Sequence, residues 1–361
     1  MRDVALRAGV STATVSRSLT GSRKVSEQVL LSVLAAAQDL DYQTNRLAAS
    51  LRRRVTNSIG LVVPEIGNPF FPALVESIER ELGRSERQLL LCDSRLDSAT
   101  ESRRLGALMQ QQVDGVLISP CDATKSHHAV VAAAAKVPLV QLDREIEDNR
   151  LDWVGLDDHA GMNAVVRHLA ECGARSLMFV SAEPTNSSAR RRLKGFLDSA
   201  FECGLNITGV LLGTFKLSWG AQAAAKVAES HPRPDAVVCG NDLIAIGMLR
   251  ELALLNVQVP QELMVTGFDD IFFSECYLPS LTTVRQPHDE IAAVALRILA
   301  EIESSSKARH RAQRVAVVPS LVVRESTTAR ASSFPEAAST GDGGPAYRTA
   351  SSSGHARGRG A

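Results

Sequence analysis

At 361 residues the chain has room for more than one domain and for a large apolar core. Its 40 Lys/Arg offset 40 Asp/Glu, and 45% of its residues are hydrophobic, so it reads as a soluble globular protein and not as a disordered polyelectrolyte. No signal peptide and no apolar run of about 18 residues occurs, which excludes a membrane partner at this level of reading and makes the cytoplasm, close to the nucleoid, the expected location. The six cysteines (92, 121, 172, 203, 239, 276) stand singly with no Cys-x-x-Cys pair, so neither a metal site nor a cofactor is expected, and the thiols are expected to be reduced. The zero net charge is unevenly spread: residues 1–57 hold nine Lys/Arg against four acids, a basic end on a slightly acidic body. Such an arm suits a polyanionic partner held at one end.

In chain order, Val4, Ala5 and Ala8 recur at helical spacing and Gly9 terminates them. Met1 and Arg2 alone precede Asp3, so the first helix either lacks a capping side chain, at about 1 kcal/mol, or begins at a start codon further upstream, the reading favoured here. Ser11 is a good N-cap for a second helix from about Thr12, with Val15 and Leu19 four apart. Two short helices joined at a glycine turn are the layout of a helix-turn-helix, the second helix of which lies in the major groove of DNA. It presents Thr12, Ala13, Ser16 and Arg17, and Arg17 can read a guanine edge or clamp a phosphate. A solvated helical hairpin is the rival reading. Ser26 to Leu40 makes a third helix that can cover the first two. Then come Asn45-Arg-Leu-Ala-Ala-Ser-Leu51 and Arg52 to Arg54.

These motifs are similar to those of the lac repressor and galactose repressor family of bacterial transcription regulators. The shared pattern is Asp-Val-Ala-x-x-Ala-Gly-Val-Ser-x-x-Thr-Val-Ser-Arg at 3–17, Val-Ser at 25–26 and Asn-Arg-Leu-Ala-x-Ser-Leu at 45–51, and with motifs further on the resemblance spans about residues 1–326. It implies a headpiece over 1–44 that contacts DNA through Ser11, Thr12, Ala13, Thr14, Ser16 and Arg17. It also implies a hinge helix and linker over 45–57, with Asn45 and Arg46 on DNA and Leu51 wedged into the minor groove. Eight residues are too few for a stable helix alone in water, and an apolar wedge trades unstacking of a few kcal/mol for a bend that widens contact. A basic linker helix with Leu51 packed on its own protein is the alternative. Thr44 stands where the family often has Pro, a departure that bears on hinge geometry.

From Ser58 the texture becomes alternating strands and helices: strands at 59–63, 89–92, 116–119 and 139–142, with helices at 69–84, 98–112 and about 124–135. The rhythm restarts with helices at 158–172, 185–203, 218–230 and 242–255 and strands at 177–180, 210–212, 236–239 and 264–268, followed by a return near 281–287 and a helix at 288–303. This predicts doubly wound parallel sheets. The fold class expected is therefore an all-α helix-turn-helix headpiece on a two-lobed α/β core like that of periplasmic sugar-binding proteins. On that resemblance lobe 1 is 58–156 plus 286–314, lobe 2 is 157–284 plus 315–325, the chain crosses three times, and 58–326 binds the effector and dimerises. Residues 327–361, rich in Ser, Gly, Ala and Arg without apolar period, are expected to be disordered.

Open α/β sheets bind ligands beyond the carboxyl ends of their strands. The first such loop holds Asn68-Pro-Phe-Phe71, a family motif whose aromatics face the effector; for one of Phe70 and Phe71 core packing is an equal alternative. Asp143 follows strand 139–142, where a carboxylate can accept hydrogen bonds from two neighbouring hydroxyls. By the resemblance Arg192 points into the cleft, with Arg190 and Arg191 on a solvated face, and Phe215 meets the apolar face of a sugar. Asn241, in Cys-Gly-Asn-Asp-Leu-Ile-Ala-Ile-Gly at 239–247, is implied as a ligand contact, with Asp242 capping the next helix and Gly240 replacing the family's Ala. Gly-Phe-Asp-Asp at 267–270 puts Asp269 in the cleft and gives Asp270 a structural role. Asp, Asn, Arg and aromatics together suit a sugar or sugar derivative, with nucleobases and other small metabolites as alternatives. Asp143 and Asp269 could imitate a glycosidase pair, but no Gly-x-Ser-x-Gly, Walker loop or His-Glu-x-x-His occurs, so no catalytic residue and no enzyme activity is expected.

The function implied is a DNA-binding repressor, dimeric on a palindromic operator, whose affinity is set by a small molecule that changes the angle between the lobes. A regulator with a degenerate pocket, or a sugar sensor without DNA binding, are the alternatives. The intact 3–17 stretch argues against the sensor, and retention of Asp143, Arg192, Asn241 and Asp269 argues against a degenerate pocket.

Overall fold

The computed structural model describes residues 1–20, 25–42, 56–85, 87–146, 148–304 and 310–328. The hinge positions Asn45, Arg46 and Leu51, and the tail from residue 329 onward, lie outside the described residues.

Three helices form the headpiece: α1 (Arg2–Ala8), α2 (Thr12–Thr20) and α3 (Glu27–Asp39). Gly9 ends α1 at φ 66°, the left-handed conformation that a residue without Cβ adopts at least cost. Met1 stands at the N-cap of α1 with no side-chain capping bond. Ser11 caps α2, its Oγ accepting from the Thr14 amide at 3.1 Å. Val4, Ala5, Val15, Val33, Ala36 and Ala37 bury one another at the centre, so α3 covers the helix pair as expected.

The core has two parallel sheets. The first takes β1 (Ser58–Val63), β2 (Gln88–Asp93), β3 (Gly115–Ile118), β4 (Leu139–Leu142), β5 (Asp152–Leu156) and β11 (Arg314–Val317) in the order β11-β5-β4-β3-β1-β2. Helices α4 (Phe70–Gly83) and α12 (His288–Ser304) pack on one face, and α5 (Ser98–Gln110) and α6 (His127–Ala134) on the other. β1, β3 and β4 are buried along their whole length, which is why they read as continuous apolar runs.

The second sheet takes β6 (Ser176–Ala182), β7 (Asn206–Gly213), β8 (Ala236–Cys239) and β9 (Met264–Thr266) in the order β7-β6-β8-β9. α7 (Asp158–Glu171) and α8 (Ser187–Glu202) cover one face, and α9 (Leu217–Ala228) and α10 (Asp242–Leu254) the other. A short helix α11 (Phe273–Cys276) follows, and an antiparallel ribbon of β10 (Thr283–Arg285) with β12 (Ser320–Val322) extends this lobe.

The chain passes between lobes from β5 to α7, from β10 to α12 and from β11 to β12. One boundary differs from the sequence reading. Residues 315–317, assigned there to the second sheet, run parallel to β5 in the first, with Val315 beside Val154 and Val317 beside Leu156.

Where α9 meets α10 the helices touch backbone to backbone, and a Cβ on Gly220 would collide with the Ile244 carbonyl. Gly220→Ala should therefore lower core stability by about 1–3 kcal/mol through overpacking. Gly106→Ala, facing open space within α5, should raise it by about 0.4–1 kcal/mol. Urea unfolding followed by circular dichroism checks the opposite signs.

Candidate effector cleft and DNA interface

The carboxyl ends of both sheets face one cleft, and each edge of it is set by local chain geometry. In lobe 1, Asn68 Oδ1 accepts from the Phe70 amide at 3.2 Å and so fixes the start of α4. Phe70 and Phe71 then meet edge to face, with centroids 4.9 Å apart. Asp143 sits directly after β4 at φ 55°, a left-handed backbone uncommon outside glycine, and its Oδ1 accepts from Ser188 Oγ of the opposite lobe at 3.1 Å.

In lobe 2, Arg192 reaches inward from α8. Its Nε donates to Asp158 Oδ1 at 2.9 Å and its Nη1 to the Gly240 carbonyl at 2.8 Å, while Asp269 Oδ1 lies 3.3 Å from Nη1. The guanidinium lies 3.8 Å from the Phe268 ring centroid, which holds its plane. Asp269 follows β9 at φ 113° and accepts from Gln286 Nε2 at 2.7 Å. Burial pushes its carboxyl up to about 7, against the opposing pull of Arg192. Backbone strain at both aspartates is the kind that persists where a site over-determines it.

All eight sequence-chosen residues of the cleft line a single narrow space: Asn68, Phe70, Phe71, Asp143, Arg192, Phe215, Asn241 and Asp269. Arg144 and Ser188 join them, and neither was singled out in the sequence. Arg144 is buried, 5.7 Å from the Phe71 ring centroid and 5.9 Å from that of Phe215, with Asp143 Oδ2 3.7 Å from its Nε. Burial lowers its pKa from the usual arginine value. Its Nε and the Asn241 Nδ2 are buried without a hydrogen-bond partner, and both residues line the cleft, so each offers a donor that an oxygen could satisfy. The signal for Arg144 was its place next to Asp143 beyond a strand end. For Gln286 it was its place in the return segment. The cleft opens into a wider mouth edged by Glu65, Asp97, Asp122, Lys125 and Lys216.

Two sequence readings are corrected. Asp242 does not cap α10; Asn241 does, its Oδ1 accepting from the Ile244 amide at 3.0 Å. Asp242 instead points under the 267–274 segment and accepts from the Ile271 amide, Ser274 Oγ and Thr283 Oγ1. Burial raises its carboxyl to about 6. A cap needs only one carbonyl oxygen, whereas three donors converge on the carboxylate. Arg191 is likewise not on a solvated face, because Glu145, Asp158 and the Trp153 ring surround it. Gly240 has its own reason in place of alanine: a methyl there would overlap the Ser181 side chain.

On the headpiece, Ser11, Thr12, Ala13 and Arg17 are exposed, with Thr14 and Ser16 half-buried beside them. Residues 12, 13, 16 and 17 share one helical face, opposite buried Val15.

Comparison with known proteins bears on both parts. Residues 1–45 match the model for bacterial regulatory proteins of the lacI family, and residues 166–327 match the periplasmic binding protein-like domain. The ribose operon repressor of Escherichia coli (strain K12) is 33% identical over 329 residues, covering 90% of this chain and 99% of that protein. The chain belongs to the lacI family of bacterial regulatory proteins. The structure of the Lac repressor dimer bound to operator and the anti-inducer ONPF aligns with a TM-score of 0.83 at 24% identity, over 91% of this chain and 98% of that one, and shares the fold. The transcriptional regulator CelR in complex with cellobiose aligns with a TM-score of 0.69 at 27% identity, over 90% and 98%. As a lacI-family member with an intact helix-turn-helix and a two-lobed core, the protein is a ligand-controlled DNA-binding transcriptional regulator. Among the described residues no helix is long and apolar enough to cross a membrane.

Asp242→Ala would strip three buried donors of their acceptor. It should cost about 3 kcal/mol or more of core stability, read as a fall in the urea midpoint, and should remove ligand response by releasing the segment that carries Asp269.

Proposed function

We propose that the protein is a transcriptional repressor, dimeric on a palindromic operator, whose DNA affinity is set by a neutral sugar bound between the lobes. The observation that carries this reading is the convergence on one cleft of Asn68, Asp143, Arg144, Arg192, Asn241 and Asp269 with Phe70, Phe71 and Phe215. Planar amide, carboxylate and guanidinium groups pair with neighbouring hydroxyls, and aromatic faces cover the C–H side of a sugar ring.

The sign of the charge narrows the ligand class. Asp143, Asp158 and Asp269 stand against Arg144, Arg191 and Arg192, and each arginine already faces a carboxylate. No surplus positive charge remains for a phosphate or sugar acid, so the arrangement favours an uncharged polyol. The name of the ribose operon repressor and the cellobiose in the CelR complex support a sugar. Ribose is the first ligand to test.

On the DNA side, Thr12, Ala13 and Arg17 face the major groove, with Ser11, Thr14 and Ser16 on phosphates or edges. Thr12 and Ala13 are short, so much of the readout falls to Arg17 and to DNA deformability. The hinge over 45–52, with Asn45, Arg46 and Leu51, couples lobe angle to the headpieces by folding on DNA.

The test is a fluorescence-anisotropy titration at fixed salt against palindromic DNA from around the protein's own gene, with and without ribose and other neutral sugars. Binding that depends on the palindrome and shifts with a sugar is the expected result. Binding indifferent to sequence and sugar would overturn the proposal. Arg17→Ala should cost about 1–3 kcal/mol at a specific site and far less on random DNA. Asp269→Ala should abolish the sugar response and leave operator binding intact.

A pH series adds a signed prediction. The free Asp269 carboxyl titrates near 7, and hydroxyl donors from a sugar require its ionised form. Binding then releases a proton, so sugar affinity rises with pH, roughly tenfold from pH 6 to pH 8, and levels off above. In Asp269→Asn this dependence should vanish. Calorimetry in two buffers of different ionisation heat reads the released proton directly.

A further inference from the structure

Arg191 belongs to α8 of lobe 2 but directs most of its contacts to lobe 1. Its Nη1 donates to Glu145 Oε1 at 2.6 Å, its Nη2 donates to the Asp143 carbonyl at 3.1 Å, and its guanidinium lies 4.6 Å from the Trp153 ring centroid. Only Nε, on Asp158 Oδ2 at 3.1 Å, and a longer contact to Ser187 Oγ hold it to its own lobe. Arg191 does not line the inner cavity. It joins the lobes from outside the space a ligand would fill.

Each carboxylate it touches has a second cation. Glu145 Oε2 accepts from Arg314 Nη2, and Asp158 Oδ1 accepts from Arg192 Nε. Arg314 also lies 5.3 Å from the same Trp153 ring. Removing Arg191 therefore leaves neither buried carboxylate unpaired, so each lobe keeps its internal electrostatics. What is lost is the closest charged tie between them. Other contacts also cross the lobes: Ser188 Oγ on the Asp143 carboxylate, the Glu145 amide on Ser187 Oγ, the Ala123 amide on the Thr185 carbonyl, and Lys216 Nζ 3.9 Å from Glu65 at the partly exposed rim. Among these and the Arg191 contacts, Arg191 on Glu145 is the ion pair at close hydrogen-bond distance.

The same arginine acts on the site. The Asp143 carbonyl accepts from both Arg191 Nη2 and Trp153 Nε1, and this is the residue held at φ 55° with its carboxylate in the cleft. Gly155 leaves the room that the Trp153 ring occupies. One guanidinium thus bears both on closure and on the shape of the Asp143 backbone.

We propose that Arg191 is a positioning residue, an external latch that sets the balance between closed and open lobes before ligand arrives and that holds Asp143 in its left-handed conformation. The affinity consequence rests on the sugar-effector reading. The closure consequence does not.

The experiment uses the full chain with Trp219→Phe, which leaves Trp153 as the reporter of the two tryptophans. In that background Arg191→Gln and Arg191→Lys are compared by small-angle X-ray scattering, tryptophan emission and D-ribose titration. Arg191→Gln should enlarge the ligand-free radius of gyration and red-shift Trp153 emission, and should weaken ribose binding by at least about fivefold. Its urea midpoint should stay close to that of the parent. Arg191→Lys should recover part of the closure, because an ammonium reaches Glu145 but cannot also donate to the Asp143 carbonyl in the geometry of a planar fork. Unchanged scattering and emission in Arg191→Gln would overturn the latch. Those two arms decide it whether or not ribose binds, so a failed effector reading is seen separately.

Discussion

The buried guanidinium of Arg192 is the interaction around which the second lobe and the cleft are arranged. A charge with almost no solvent contact is tolerable only when paired and hydrogen-bonded, and here Asp158, the Gly240 carbonyl and Asp269 supply those partners from three different segments. Each partner imposes a condition on the chain. Asp158 must open α7, Gly240 must leave β8 at that angle, and Asp269 must turn back at a φ that only a constrained residue keeps. α8 itself must come close enough to α7 to deliver the side chain, and Gly195 allows it, since a Cβ there would meet the His159 backbone. The Asn186 cap fixes where α8 begins. A substitution at any of these points acts on the cleft through the arginine.

The rhythm of strands and helices was legible because central parallel strands are buried on both faces, and buried strands are plain apolar runs. β5, β11 and β12 were not. β5 is Asp152-Trp-Val-Gly-Leu156, with a charge at one end and a glycine inside, and it is a strand because β4 and β11 flank it. β11 is four residues long, with Arg314 at its start, and its partner lies some 160 positions earlier in the sequence. Pairing of that kind is decided by tertiary context, which single-sequence periodicity does not carry. The same limit moved the boundary at 315–317 into the first sheet.

For the cleft, motifs located the residues but not the division of labour within each motif. Asn241 and Asp242 are adjacent, and either side chain can cap a helix. The choice fell to Asn241 because the Asp242 carboxylate is claimed by three donors from residues 271, 274 and 283, none of them near it in sequence. Arg191 beside Arg192 read as a solvated neighbour for the same reason: its carboxylate at Glu145 and its ring at Trp153 belong to the other lobe. Asp270 did prove structural. It pairs with Arg285 and Arg324, tying the turn after β9 to the segments on either side of the crossovers.

Those ties bear on how a ligand could move DNA. A ligand shifts a two-state equilibrium only by its difference in affinity for the two states, and a hundredfold difference is worth about 2.7 kcal/mol. A molecule that touched lobe 2 alone would bind open and closed forms equally and shift nothing. Asn68, Phe70, Phe71, Asp143 and Arg144 come from lobe 1, whereas Ser188, Arg192, Phe215, Asn241 and Asp269 come from lobe 2, so any molecule among them must touch both. Its whole contact with one of the lobes is then differential. Asp270 and its two arginines tie the crossover ends of lobe 2 together, so a change of lobe angle on binding would be taken up at the three short connections. Such a change would reach the headpiece through Ser58 at the start of β1, the part of the core nearest to it in sequence.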